Sequence, residues 1–161
     1  MVICEKIYEE WLGKVQEEKI IKIIEEVKPS GKILDVGCGT GVLERFVNAV
    51  AVDINLEYLK GVKSDIKIIA SGDALPFKSE AFDFVFCIDV VHLLKNLQDL
   101  VRVLRKHGKL VVSIFCNEQN LEERKEWLRK RISEFEEMKI EKSFVVKTEI
   151  EWDFVIIAKR I

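Results

Sequence analysis

The 161-residue chain has no apolar run long enough to cross a bilayer: runs such as Phe82 to Ile88 fall far short of the roughly 20 residues a membrane helix needs. Glu5, Glu9 and Glu10 stand where a secretory leader would carry basic residues ahead of an apolar block. No signal peptide is therefore expected, and a cytoplasmic location is. The net charge of −2 supplies no global attraction to nucleic acid. No repeat or biased stretch suggests disorder. The four cysteines, Cys4, Cys38, Cys87 and Cys116, include no C-x-x-C pair. Since Cys87 and Cys116 lie in apolar runs, buried free thiols in a reducing compartment are expected, and no metal site. One local departure from the charge balance is Arg124, Lys125, Arg129, Lys130 and Arg131, interleaved with Glu122, Glu123 and Glu126. That pattern reads as a solvated helix face or, alternatively, as a contact for an anionic partner.

What is present is a foldable core. Hydrophobic residues make up 48% of the chain, and a domain of this length buries roughly 70% of its unfolded surface. The charged fraction of 34%, rich in Lys and Glu, resembles thermophile composition. One domain over 1–161 is expected, with 1–30 as an N-terminal helix or lid. Ile7, Trp11, Val15, Ile20, Ile23, Ile24 and Val27 recur at helical spacing, and Pro29-Ser30-Gly31 ends that helix. Strands are predicted at 32–36, 49–53, 66–70, 82–88 and 109–115. Between them helices are predicted at 40–47, from the cap Asn55 to 62, and at 97–106. A helix over 121–138 and a hairpin of 143–150 with 152–159 complete the chain. Strands alternating with helices predict a parallel sheet covered on both sides, with ligands past the carboxyl ends of the strands.

The chemistry gathers at those ends. In Ile33-Leu-Asp-Val-Gly-Cys-Gly-Thr-Gly41, three glycines let the backbone turn tightly and approach a ligand, and Asp35 adds a carboxylate at the end of the strand. A helix starting near Thr40 would aim free N–H groups at the same space. A nicotinamide dinucleotide fits poorly, because its fingerprint needs glycine where Val42 stands and its diphosphate would meet Asp35. Asp53, ending the second strand, can accept both hydroxyls of a ribose.

Asp35-Val-Gly-Cys-Gly-Thr-Gly41 resembles the first signature of class I S-adenosylmethionine-dependent methyltransferases of the methyltransferase type 11 kind. Val52-Asp53-Ile54, Gly72-Asp-Ala-Leu-Pro-Phe77, Phe82-Asp-Phe-Val-Phe86 and Val103–Val112 resemble later motifs in the right order. The resemblance implies a Rossmann-like three-layer αβα sandwich: a mostly parallel seven-stranded sheet with an antiparallel C-terminal strand. It also implies S-adenosyl-L-methionine as cofactor, with S-adenosylhomocysteine as product. Asp35, Gly37, Cys38, Gly39 and Gly41 would cradle it. Asp53 would hold the ribose; Asp73 and the Ala74 N–H would read the adenine, with Ile54 and Leu75 on its faces. The backbone at Cys87 and Ile88 would meet the methionine ammonium. In-line methyl transfer needs no obligatory side chain. Where a proton must be removed, Asp89 and His92 are the candidates; Tyr8 and Trp11 are candidate lid residues.

The chain departs from the family pattern in three places, the mildest being His107-Gly108 where many relatives have Pro-Gly. From Gly41 to Asp53 it is shorter than is usual, and no sizeable insertion follows the fourth or fifth strand to build a substrate lid. A small-molecule acceptor is favoured. The alternatives are a protein or RNA acceptor, or a non-catalytic scaffold, and a homodimer that completes the site is a further option.

Overall fold

The computed structural model describes the backbone of residues 2–161 and the side chains of residues 6–161, so the expected burial of Cys4 lies outside the described side chains. The elements run α1 (Val2–Val27), β1 (Ile33–Val36), β2 (Ala49–Asp53), α2 (Leu56–Gly61), β3 (Lys67–Ile69), β4 (Phe82–Ile88), α3 (Gln98–Val103), β5 (Leu104–Cys116), α4 (Leu121–Ser133), β6 (Met138–Lys147) and β7 (Trp152–Arg160). They form one seven-stranded sheet in the order β3-β2-β1-β4-β5-β7-β6. The pairs from β3 through β5 are parallel, and β7 runs antiparallel between β5 and β6. Strand order reverses between β1 and β4, and a crevice opens past the carboxyl ends of the strands at such a switch point.

Alternation along the strands sorts the core into two layers. Ile33, Phe84, Phe86, Val111, Val155 and Ile157 pack with Ile20, Ile23 and Val27 of α1. Leu34, Val36, Val85, Cys87, Val112 and Ile156 face the other way, onto Leu100 and Val101 of α3 and Leu128 and Ile132 of α4. Burying one such aliphatic side chain stabilises the fold by about 1.5–3 kcal/mol. The same alternation places Asp35 on the α1 side, between Leu34 and Val36, which serve the opposite layer.

The helix expected over 40–47 is absent; a single 3₁₀ turn, Leu43–Arg45, takes its place. The reason is length. A parallel crossover must travel back along the five residues of β2, about 16 Å at about 3.3 Å each. The seven residues from Val42 to Asn48 would advance only about 10 Å as α-helix. A more extended path is therefore required. α3 stops at Val103 and not at Lys106, because β5 already pairs with β4 at Leu104 and bulges through His107 (φ 65°) before resuming at Lys109. α4 ends at Ser133, short of Met138, which opens β6. The Asn55 cap forms as expected, its side chain accepting the Glu57 N–H at 2.9 Å.

The basic run on α4 is largely occupied by packing. Arg129 lies 5.2 Å above the Phe154 ring, Arg131 lies over Trp127 and donates to the Leu94 carbonyl, and Lys125 pairs with Glu122. Cys38, Cys87 and Cys116 are buried free thiols. Among the described residues no helix is long and apolar enough to cross a membrane.

Candidate active site

The loop after β1 turns through Gly37, Gly39 and Gly41, all left-handed (φ 74°, 55° and 79°). Their surroundings differ. A Cβ on Gly37 would stand 2.5 Å from Val90 Cγ2, whereas one on Gly39 would meet nothing within 4 Å. Gly37 thus lets the chain after β4 close against the loop, and Gly39 faces open space.

That space is a trough in two parts sharing Gly37 and Gly39. One cavity of about 360 Å³ is lined by Asp53, Ile54, Asn55, Tyr58, Ser71 and Leu93, among others. The second, about 230 Å³, is lined by Gln16, Ile20, Asp35, Cys38, Ile88 and Asp89, among others. In the first, Ile54 and Leu93 are 75% and 71% exposed and present apolar surface to whatever enters. A separate cavity of about 380 Å³ at the opposite ends of the strands, near Ile33, Ala49 and Phe82, includes none of the expected residues.

The loop offers little to an anion. Gly37 and Cys38 donate their N–H groups to the Val52 carbonyl (2.8 and 3.0 Å), Gly41 donates to the Cys38 carbonyl (3.0 Å), and Gly39 donates to Asp53 Oδ2 (2.9 Å). With no helix following, the expected array of free helical N–H donors does not exist. Carboxyl groups surround the loop instead: Asp35, Glu44 and Asp53 are all buried. Asp53 also accepts the Asn55 N–H at 2.8 Å. Burial, with Glu44 next to it, raises the Asp35 carboxyl well above the usual range, and burial raises Glu44 as well. Burial and the surrounding carboxylates likewise push the Cys38 thiol up, so it is no nucleophile.

The adenine-reading loop is placed otherwise than expected. The Ala74 N–H is already donated to the Ser71 carbonyl (3.0 Å), and Leu75 is buried in the sheet core, its own N–H held by Asp99. Asp73 accepts the Lys95 N–H at 2.9 Å. None of the three lines either cavity; Ser71 and Gly72 do. Cys87 is fully buried, while Ile88 reaches the second cavity. His92 and Tyr8 are exposed and Trp11 is half-buried; all three lie outside both cavities, and Tyr8 and Trp11 pack on each other at 6.0 Å. The covering residues of α1 are instead Gln16 and Ile20.

Asp89 does reach the site, with partners that sequence reading missed. Its backbone is left-handed (φ 57°), ending β4. Its carboxylate accepts from Lys19 Nζ at 2.5 Å and from the Ser113 hydroxyl at 2.8 Å. Lys19 also donates to Glu151 at 2.8 Å and stands 3.6 Å from Asp153. Asp89, Glu151 and Asp153 cluster as metal ligands do, yet the cation among them is the protein's own ammonium. Asp153 Oδ1 and Oδ2 are buried without a donor. Burial, with Asp89 beside it, pushes Asp153 up to about 8, so that it carries a proton toward Asp89. Although burial opposes it, hydrogen bonding to Asp153 and Lys19 holds Asp89 below the usual range. Lys19 is raised by its three acidic neighbours, against desolvation.

A switch-point crevice with a glycine turn, an acid one residue before the end of β1 and an acid ending β2 is where an α/β sheet of this kind takes its ligand. The methyltransferase-domain family model matches residues 34–112, which takes in the whole glycine loop and both acids. An uncharacterised protein of Methanocaldococcus jannaschii is 38% identical over 105 residues, 61% of this chain and 47% of that protein. The chain thus spans about half the length of that relative. Among solved structures, a SAM-dependent methyltransferase (possible histamine N-methyltransferase) from Thermotoga maritima superposes with a TM-score of 0.68 at 21% identity, covering 96% of this chain and 94% of the other. The magnesium protoporphyrin IX methyltransferase of Synechocystis, solved with bound SAM, gives 0.64 at 16% identity, covering 93% and 81%. Residues 34–112 thus match a methyltransferase domain, and the chain shares its fold with SAM-dependent methyltransferases, one of them solved with SAM bound, so S-adenosylmethionine is the cofactor the site is to be compared with. The residues present fit that group: buried acids suit its sulfonium and ammonium, and the flanking apolar surfaces of Ile54 and Leu93 suit its adenine.

Proposed function

We propose that this chain is a methyltransferase that passes the methyl group of S-adenosylmethionine to a small-molecule acceptor. The observation that carries this is the glycine loop whose own amides are internally bonded while Asp35, Glu44 and Asp53 lie buried around it. Such a loop attracts cations and repels a diphosphate. When bound, the cofactor supplies an electrophilic methyl carbon on a sulfonium. Asp53 would receive the ribose hydroxyls, Ile54, Tyr58 and Leu93 would enclose the base, and Asp35 would face the ammonium.

The second cavity would take the methionine end of the cofactor near Asp35 and the acceptor on its Asp89 side. Its size of about 230 Å³ and its cover by Gln16 and Ile20 of α1 favour a small molecule over a polymer. Asp89, held as an anion by Lys19 and Ser113, is a poor proton acceptor, and His92 is remote. Rate enhancement would then rest on alignment and exclusion of water, and alignment alone can supply roughly 7–11 kcal/mol of a barrier.

The test is calorimetric titration with S-adenosylhomocysteine beside NADH, repeated on Asp53→Ala, followed by a mass-spectrometric screen for methyl transfer to small amines, thiols and hydroxyls alongside bulk RNA. Saturable micromolar binding to the wild type alone, absent for NADH, supports the cofactor site. Transfer to RNA with none to small molecules would overturn the acceptor assignment.

A further inference from the structure

Glu44 has no role in the reading above, yet it is an unusual residue to find where it is. It sits in the 3₁₀ turn that replaces the first crossover helix, 6% exposed, and both of its carboxyl oxygens are buried with no donor from the protein. Its neighbour Arg45 offers no help, because that side chain turns outward to pair with Glu17. Asp35 is 4% exposed and within hydrogen-bonding contact of Glu44. Among the described residues, no lysine, arginine or histidine forms an ion pair with either acid; Lys19, a buried ammonium on α1, is held by Asp89, Glu151 and Asp153. Asp53 and Cys38 on the loop, Cys87 on β4 and Asp89 across the cavity add only acids and thiols.

Two carboxyl groups in contact, shielded from water and without a counter-cation, cannot both ionise; they retain one proton between them. That proton fills the hydrogen-bonding need that leaves the Glu44 oxygens otherwise unmet. Asp35 also lines the cavity, so the pair is buried behind but open to a ligand in front. A cationic group placed there would supply the missing positive charge and remove the reason for keeping the proton.

We infer that Asp35 and Glu44 form a proton-coupled receptor for the ammonium of the cofactor, with Glu44 as the second acid: when the ammonium enters, the shared proton leaves to solvent and the pair becomes a dianion facing a cation. The inference rests on the cofactor assignment above and adds to it a residue, Glu44, and a proton. No bond other than O–H is broken. The consequence is that cofactor affinity rises with pH, by up to about tenfold per pH unit while one proton is expelled for each ligand bound.

The experiment is calorimetric titration of wild type and Glu44→Gln with S-adenosylhomocysteine, between about pH 6 and 7, where an α-amino group remains largely protonated. Each titration is run in phosphate and in imidazole, whose ionisation enthalpies differ, so the buffer dependence of the heat counts protons. The wild type is expected to release close to one proton per ligand. Glu44→Gln, with an amide that donates permanently to Asp35, is expected to bind and to release none. As a readout independent of the Glu44 variant's folding, the infrared carbonyl absorption of protonated carboxyls, to which Asp153 also contributes, should fall in wild type on saturation by the share of one carboxyl. Binding with equal heats in both buffers would overturn the proposal while leaving the cofactor assignment intact. Equal proton release by wild type and Glu44→Gln would move the proton to another group and overturn it too. No saturable binding by the folded wild type would remove the cofactor assignment and this inference together.

Discussion

Lys19 of α1 and Asp89 at the end of β4, seventy residues apart in sequence, meet at 2.5 Å in a position where the lysine side chain is only 2% exposed. The contact fastens the helix that covers the cavity to the strand end that forms its wall. Glu151 and Asp153 extend the fastening to β7, and Gln16 donates to Glu151 one turn away on the same helix. Cover and wall are therefore one electrostatic unit.

Breaking that unit from the lysine side leaves three acids without their cation. Lys19→Met is expected to destabilise the protein by about 3–5 kcal/mol, read as a lower denaturation midpoint. Adding Asp89→Asn should restore part of the loss, because the remaining charge imbalance is smaller. Strictly additive losses in the double variant would show that the two residues do not act as a pair.

Asp153 gives the stability an inverted pH dependence. The folded protein keeps the Asp153 proton up to about 8, whereas an unfolded aspartate loses it near 4. Between those values the folded state binds the extra proton, so stability from this group falls as pH rises, by at most about 1.4 kcal/mol per unit. Asp89 has the opposite sign: its contribution is present above the ordinary aspartate range and is lost as pH falls through its depressed value. Denaturant melts from about pH 5 to 8 should show the decline in wild type and a flatter profile in Asp153→Asn.

The two glycines that share the trough should separate stability from binding. Gly37→Ala adds left-handed strain to a clash with Val90 and should cost about 2–4 kcal/mol. Gly39→Ala meets no atom and should cost about 1–2 kcal/mol, from backbone conformation alone. Its Cβ would project into the trough, so the larger effect is expected on S-adenosylhomocysteine affinity. Thermal melts paired with calorimetry distinguish the two; equal losses of stability would contradict the packing role of Gly37.

Leu93 and Ile54 are exposed apolar side chains at the end of the trough proposed to take the nucleoside. Leu93→Ser is expected to change stability by less than about 0.5 kcal/mol, as a surface substitution does. The same change should weaken S-adenosylhomocysteine binding roughly tenfold, the equivalent of about 1.4 kcal/mol of lost apolar contact. Unchanged affinity would place the adenine elsewhere.

The amino-acid sequence alone determined what depends on near neighbours. The limits of β2 and β4 follow from apolar runs, the cap at Asn55 from a side chain reaching two residues on, and the turn after β1 from glycines that accept left-handed angles. Asp35 and Asp53 were legible because each lies at or next to the carboxyl end of its strand, and a ligand crevice lies past strand ends. Local pattern failed where length or distance decided. The helix over 40–47 had the right composition and too little chain to cross back to β2. Ala74 had a free N–H in the sequence, and the Ser71 carbonyl took it in the fold. Lys19 and Glu44 look like two more charges on helical, charge-rich stretches, and nothing nearby in sequence marks them as buried. Their partners lie on other elements, and Coulomb interactions strengthen as water is excluded, so only the packed sheet could decide which charges matter.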